Sequence, residues 1–377
     1  MPLFTQIIRH RRVWIVAALG VSAVAATRFF VTPEQAVQAV AKGGYWVMLP
    51  TFGLFVWSLW RLGRTALSGW RPVRADVAAA ALVLTCGGVW LAHEKQGFKI
   101  LADEVLLLGT SMVMHQERDV SYPIRASDAQ GPFQLTHRVV DKRPFFFPFL
   151  VSLVHDVTGY RATNPFHVNA VLAFVFLGLA YGLGWKAGGN RWAGVLVVLL
   201  FAGLPLLAQQ AAGGGFELLN LVMIATFALL ACRYAQMPDE RSLEAMCLAA
   251  VLLAMTRYES VLFVIPAAAI ALWGWAKVGR VILPWSVVLT PLMLVPYLLQ
   301  NRIFVANEGA WELASKPEAG APFALSYVPD NLGHALAFFF DTTGYQANSI
   351  LFAAAGLLAL PFFGLVIVRT LAAGRKA

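Results

Sequence analysis

Two neighbouring carboxylates, Asp103 and Glu104, are the first residues in this chain whose types suggest chemistry. They follow a long apolar stretch by a few residues, at a place where a charge is costly to remove from water. One carboxylate there could accept a proton from an attacking hydroxyl or amine, while the second orients it or binds a divalent cation. The alternative is a pair of solvated loop acids. Asp103 is the first candidate for the reacting carboxylate and Glu104 for its neighbour.

Three basic residues could supply a matching positive charge. Lys142 and Arg143 directly precede a Phe-rich segment, so they could bind the phosphate of a lipid head group while the aromatic rings meet its chain. Anchoring of a helix at the lipid surface is the alternative. Arg257 interrupts a long apolar stretch, and a charge in such a place indicates function in membrane proteins, although it could simply pair with Glu259.

Four further residues are weaker candidates for substrate binding, namely His137, Arg138, Glu217 and Glu259. A loop histidine is more often simply solvated, and a carboxylate such as Glu217 at the start of a helix is favoured by the helix dipole without any substrate. The three cysteines lie in apolar runs without metal-site spacing. Metal use therefore stays open, with a divalent cation near Asp103 as one alternative.

The composition shows which elements must position these residues. Of 377 residues, 59% are hydrophobic and 13% charged, and the mean hydropathy is +0.67, far from the composition of a soluble domain. We expect an all-α fold: one integral membrane domain over residues 1–377, a polytopic bundle of about ten transmembrane helices. Spans are predicted near residues 13–31, 43–62, 77–95, 166–187, 192–210, 217–235, 281–302 and 348–370, with two more in 243–276.

The side of each loop follows from the basic residues, because Lys and Arg are enriched on the cytoplasmic side. The charge bias is strongest if the short segment 145–160 does not cross and forms a juxtamembrane helix. More than half of the 29 Lys and Arg residues then lie inside, and both termini are cytoplasmic. The formal charge of +9 is explained by topology, so nucleic-acid binding loses its support. The candidate residues fall on the outer side, which includes two long loops, 96–165 and 303–347.

The order of these motifs resembles the GT-C superfamily of polytopic glycosyltransferases, especially the family of protein O-mannosyltransferases and lipid A aminoarabinose transferases. The resemblance covers about residues 77–304. It consists of a span, an outer loop opening with Asp103-Glu104, a Lys/Arg-Pro juxtamembrane helix ending in Gly159-Tyr160, paired spans, and the Thr256-Arg257 corner. The usual Lys-Pro-Pro is replaced by Arg143-Pro144-Phe145, which leaves Lys142 and Arg143 as competing phosphate ligands, and two extra spans come first.

The resemblance implies a function. In that family the loop acid is the catalytic carboxylate or lies beside it, and the donor is a sugar on a polyprenyl phosphate. It implies sugar transfer to a lipid, glycan or protein acceptor on the outer face of a bacterial inner membrane, with the donor and membrane lipid as partners. Protein partners are unknown. The rival hypothesis is a transporter or flippase for a lipid-linked or anionic substrate, which typically carries ionisable residues in mid-span and inverted repeats.

The predicted topology can be tested with reporter fusions. We expect a fusion at residue 189 to report a cytoplasmic position and one at residue 214 to report the outer side, because the basic residues flanking 189 favour the inside. An outer position for residue 189 would contradict the topology.

Overall fold

The computed structural model of the protein describes residues 3–68, 71–127, 134–306 and 325–374, and it is mostly helical. A π-helical turn, Ala26–Phe30, continues α2, and a 3-10 segment, Tyr258–Phe263, leads into α12. The helices are α1 (Leu3–Arg9), α2 (Arg11–Ala25), α3 (Pro33–Leu67), α4 (Arg74–His93), α5 (Leu101–Glu117), α6 (Phe146–Thr158), α7 (Asn164–Gly188), α8 (Arg191–Ala202), α9 (Pro205–Ala212), α10 (Glu217–Gln236), α11 (Glu240–Ala254), α12 (Val264–Val278), α13 (Trp285–Val288), α14 (Thr290–Met293), α15 (Val295–Ala306), α16 (Val328–Phe340) and α17 (Ile350–Gly374).

Apolar helices of membrane-spanning length identify the chain as a membrane protein. Among the described residues, six helices are long and apolar enough to cross a membrane, and seven if the pair α8 and α9, bent by 74°, is one span. The remaining predicted spans coincide with shorter pieces: α11 has 15 residues, and the segment predicted at 281–302 is divided among α13, α14 and α15. The structure thus supports a polytopic helical bundle, and the count of ten remains a prediction.

The core is organised around α11. Every residue of this helix from Ser242 to Ala254 except Cys247 is buried. A helix that is apolar on all sides belongs inside a bundle, and α11 packs against α3, α10 and α12. The charge of Glu244 on α11 is compensated by Arg61 of α3 at 3.3 Å. The flanking helices are therefore positioned by contact with one central element.

The first predicted outer loop, 96–165, contains two helices and a small sheet. Helix α5 carries Asp103, and α6 confirms a short helix within 145–160. Between them, β1 (Tyr122–Ser127) pairs antiparallel with β2 (Gln134–Val139). The all-α prediction missed this hairpin, because each strand has only six residues and too little alternation to stand out. Residues 128–133 and, in the second predicted outer loop, 307–324 lie outside the described residues.

The Phe-rich start of α6 faces the protein. Phe145, Phe146, Phe147 and Phe149 are all at most 1% exposed and belong to the core. The expectation that these rings meet a lipid chain is therefore wrong. Their burial instead fixes the position of Arg143, two residues before the first of them, against the bundle.

A buried polar network joins α5, α6 and α7. Ser111 donates to the carbonyl of Leu108 at 2.8 Å, so the 3.2 Å contact between Ser111 Oγ and His155 Nε2 requires the imidazole to donate. Asn164 Nδ2 then donates to His155 Nδ1 at 2.7 Å. This arrangement suits a neutral histidine, and burial lowers the pKa of His155 to about 4. The serine is a hydrogen-bond acceptor for the imidazole and is not activated as a nucleophile.

This network makes stability depend on pH. An unfolded histidine takes up a proton below pH 6.5, whereas folded His155 does so only at about 4, so stability should fall between these values as the solution is acidified. The expected loss is about 3 kcal/mol, at about 1.4 kcal/mol per pKa unit. We expect His155→Gln to lose this part of the acid sensitivity and the exposed control His167→Gln to keep it. Melting midpoints in detergent between pH 7 and pH 4 measure this acid sensitivity. If the melting midpoint of His155→Gln falls with pH as steeply as that of the wild type, the role of His155 is contradicted.

Candidate functional site

The centre of the site is an ion-pair chain of three residues. Arg143 binds Asp103 of α5 through Nη2 and Asp141 through Nη1, the latter at 2.8 Å. Burial alone would lower the pKa of Arg143, but its hydrogen bonds to the two carboxylates outweigh this and leave the pKa raised. The guanidinium is therefore charged, and its charge is already compensated by two acids.

A glutamine of α15 holds the backbone of this chain in place. Gln300 is 5% exposed, and its Nε2 donates to the carbonyl oxygens of Asp141 and Arg143, both at 2.9 Å. Asp141 also accepts from the backbone amide of Arg143 at 3.3 Å. The segment before α6 is thus tied to α15, although 157 residues separate Arg143 from Gln300.

Arg257 lies at the same end of the bundle. Its Nε is 3.4 Å from Glu259 Oε2, and its guanidinium is 5.7 Å from the ring centre of Phe216. Glu217, the next residue along, lies within range of the charges of both Arg257 and Asp103. The structure thus brings together predicted residues from α5, the segment before α6, the start of α10 and the corner before α12.

Lys142 lines a small cavity beside the ion-pair chain. The cavity has a volume of about 160 Å³, and its other walls are Tyr258, Glu259, Tyr297, Gln300, Asn301 and Phe304. Lys142 is exposed, and no carboxylate of the described chain lies within ion-pair distance of it. Arg257 forms a longer ion pair, with Glu259 at 3.4 Å. Lys142 is therefore the least compensated cation at this place, and Arg143 the most.

Glu104 faces away from Asp103 and is 2% exposed. One carboxylate oxygen accepts from the amide of Lys99 at 2.6 Å and the other from the amide of Gly214 at 3.0 Å. Burial raises the pKa of Glu104, and these amides act in the opposite direction. Both oxygens are thus engaged by backbone. The residue expected to orient the reacting acid or bind a cation instead fastens the glycine loop 213–215 to the start of α5.

The close packing around the loop 213–215 explains its glycines. A Cβ on Gly213 would stand 2.9 Å from Glu104 Oε1, too close for an undisturbed contact. Asn169 of α7 donates to the carbonyl oxygens of Gly213 and Gly215, both at 2.8 Å. The loop therefore packs between two polar side chains with no space for a side chain of its own at Gly213.

His137 and Arg138 belong to a separate polar cluster. His137 is exposed on β2 and pairs in register with Arg125, whereas Arg138 forms an ion pair with Glu117. Arg138 and Glu117 line a different, open cavity that includes neither Asp103, Lys142, Arg143 nor Arg257. The nearness of His137 and Arg138 to Lys142 in sequence is thus not matched by a shared cavity, because the chain turns between Val139 and Phe146.

A metal site is not visible in the described part of the chain, where no three His, Cys, Asp or Glu side chains are grouped to hold an ion. Asp141, Tyr258, Tyr297 and Gln300 were not predicted as site residues. Two signals in the sequence could have found them: Asp141 stands next to Lys142, and Gln300 is a polar residue in a predicted span.

The chain matches no family model, no curated protein and no solved structure.

The different surroundings of the two adjacent acids predict different effects of the same change. Glu104→Gln would place an amide NH₂ against a backbone donor, so we expect it to destabilise the fold by about 1–3 kcal/mol, the cost of an unsatisfied buried group. Asp103→Asn leaves Arg143 paired with Asp141 and should cost under about 1 kcal/mol. Thermal melting in detergent measures both, and equal midpoints for the two variants would contradict this assignment.

Proposed function

We propose that the protein is a membrane glycosyltransferase that moves a sugar from a polyprenyl-phosphate donor to a hydroxyl or amine acceptor on the outer face of a bacterial inner membrane. The proposal rests on the placement of Asp103, Arg143 and Arg257 at one end of the helical bundle, where Lys142 lines a cavity. A half-exposed carboxylate next to under-compensated cations is what transfer from a phosphate leaving group requires.

The proposed reaction assigns one role to each charged residue. The acceptor oxygen or nitrogen attacks the anomeric carbon, the bond from that carbon to the phosphate oxygen breaks, and the acceptor proton passes to Asp103. The polyprenyl phosphate leaves with increased negative charge. Lys142 stabilises that charge, because its own charge is the least compensated, and Arg257 adds a second positive charge at the same end of the bundle.

Arg143 has a different role in this proposal. Since Asp103 and Asp141 already neutralise it, we treat it as a positioning residue that orients Asp103. Of the two competing candidates, the proposal therefore takes Lys142 as the phosphate ligand. Glu217 and Glu259 are retained as substrate-binding candidates near Arg257, and His137 and Arg138 are not.

The membrane placement belongs to the same proposal. Ten spans, cytoplasmic termini and a non-crossing α6 would put the site on the outer face. Support comes from α6, whose 13 residues are short for a span of about 20 and whose phenylalanines are buried in the core. The GT-C-like core over 77–304 rests on the sequence resemblance.

A transporter or flippase is the second candidate, because one observation favours it. The pair α8 and α9 is bent by 74°, and broken helices are typical of transporter substrate sites. Against this, the candidate charges gather near one end of the bundle. The two functions differ in product: a transferase releases polyprenyl phosphate, whereas a flippase moves the intact donor between leaflets.

The test combines gene deletion with complementation. Deletion should remove a sugar from an envelope lipid, glycan or protein, and mass spectrometry of these fractions identifies which. We expect Asp103→Asn to reduce transfer by about 10²–10⁴-fold, the usual contribution of a general base. Lys142→Gln should also reduce transfer, while the control Arg138→Gln should restore it.

Membrane levels of each variant must match the wild type for this comparison. Full restoration by Asp103→Asn would refute the assigned role of Asp103. In proteoliposomes, movement of the donor across the bilayer without release of polyprenyl phosphate would favour the flippase.

A further inference from the structure

A second cavity is separate from the one beside Lys142, and its walls are almost wholly apolar. It has a volume of about 510 Å³, within the range of small-molecule sites. Helices α2, α11 and α12 and the segment 283–294 form its walls. Small residues shape it, and Ala17 and Ala268 at its rim are exposed, so the cavity is a groove that opens sideways between α2 and α12. We call it the α2/α12 groove.

One end of the α2/α12 groove is surrounded by positive charge. Arg12 donates to the carbonyl of Leu283, a wall residue, at 2.8 Å and lies 4.9 Å from the ring centre of Trp285. Gln6, next to wall residue Ile7, donates to the carbonyl of Gly279 at 3.0 Å. Five basic residues flank these contacts in sequence, namely Arg9, Arg11, Arg12, Lys277 and Arg280. Lys277 Nζ also donates to the carbonyl oxygens of Ala235 and Gln236 at the end of α10, at 2.9 and 3.0 Å.

These cations have no acidic partners within the ranges that the structure describes. None of the described Asp or Glu side chains lies within ion-pair distance of any of the five. By contrast, Arg61 and Arg191 in other helices each have a carboxylate, at 3.3 and 2.8 Å. An apolar groove that ends at uncompensated cations is complementary to a molecule with an acyl chain and an anionic head.

We propose that the α2/α12 groove binds an anionic phospholipid of the cytoplasmic leaflet, with one acyl chain in the groove and the phosphate among the five basic residues. The lipid donor of the proposed reaction does not fit this placement. Arg257 precedes the helix Tyr258–Val278 and Lys277 stands at its other end, which puts about 30 Å between them at 1.5 Å per residue. The groove therefore takes its phosphate from the opposite membrane surface.

The test is lipid retention measured by native mass spectrometry. The full chain is reconstituted in vesicles of equal parts dioleoylphosphatidylglycerol and dioleoylphosphatidylcholine and then extracted in detergent. The two lipids share their chains and differ in head-group charge. We expect one tightly held phosphatidylglycerol per chain in preference to phosphatidylcholine.

Two sets of variants test the contacts of the lipid head group and of the acyl chain separately. Arg11→Gln with Arg280→Gln should weaken the preference for phosphatidylglycerol by about thirtyfold, because each cation near the surface contributes about one kcal/mol. The matched control, Arg71→Gln with Arg74→Gln, removes two exposed cations elsewhere on the predicted cytoplasmic side and should leave the preference unchanged. Ala268→Phe, which fills the groove from its rim, should abolish retention of both lipids, and Ala17→Phe from the opposite rim repeats the test if the first variant does not fold.

Three results would overturn the proposal. They are an unchanged preference in the Arg11/Arg280 variant, unchanged retention in both rim variants, and retention of added polyprenyl phosphate with no phospholipid. A change of oligomeric state in Ala268→Phe together with no bound lipid in the wild type would assign the groove to a second copy of the chain instead.

Discussion

A guanidinium in the body of a membrane protein must be matched by negative charge, and the position of Arg143 depends on this requirement. Asp103 and Asp141 both bind it, and Gln300 holds the backbone on either side of it. Three separate parts of the chain, α5, the segment before α6 and α15, are thereby brought to one place. The cavity with Lys142 lies beside this ion-pair chain, and Arg257 is near enough for its charge to act on Glu217.

Helix geometry places the two neighbouring acids, Asp103 and Glu104, in different environments. Consecutive residues on an α-helix point about 100° apart, so Asp103 and Glu104 cannot share one environment. Asp103 binds Arg143, whereas Glu104 is buried and accepts two backbone amides from the segments that precede α5 and α10. One acid thus faces Arg143, and the other holds the start of the helix in place. The glycines at 213–215 leave space for that contact.

The sequence was informative where charge is rare. Asp103, Arg143 and Arg257 stand out in an apolar chain, and the structure brings them to one end of the bundle. Sequence spacing was a poor guide where the chain turns: Arg138 pairs with Glu117 away from Lys142, although only three residues separate Arg138 from Lys142 in sequence order. The burial of Phe146 and the roles of Glu104 and Gln300 depend on contacts between distant segments, which no local pattern encodes. The short strands β1 and β2 were missed for the same reason, because they form by pairing with each other.

In the proposed function, the cavity beside Lys142 receives the phosphate end of a polyprenyl lipid. Photo-crosslinking measures this most directly, with a benzoylphenylalanine at Asn301, a cavity wall, and a control at Val37 in the cavity near Arg138. We expect labelling by radioactive polyprenyl phosphate at position 301 that unlabelled lipid displaces, that Lys142→Gln removes, and that position 37 does not show. Equal labelling at both positions, or labelling at 301 that persists without Lys142, would contradict it.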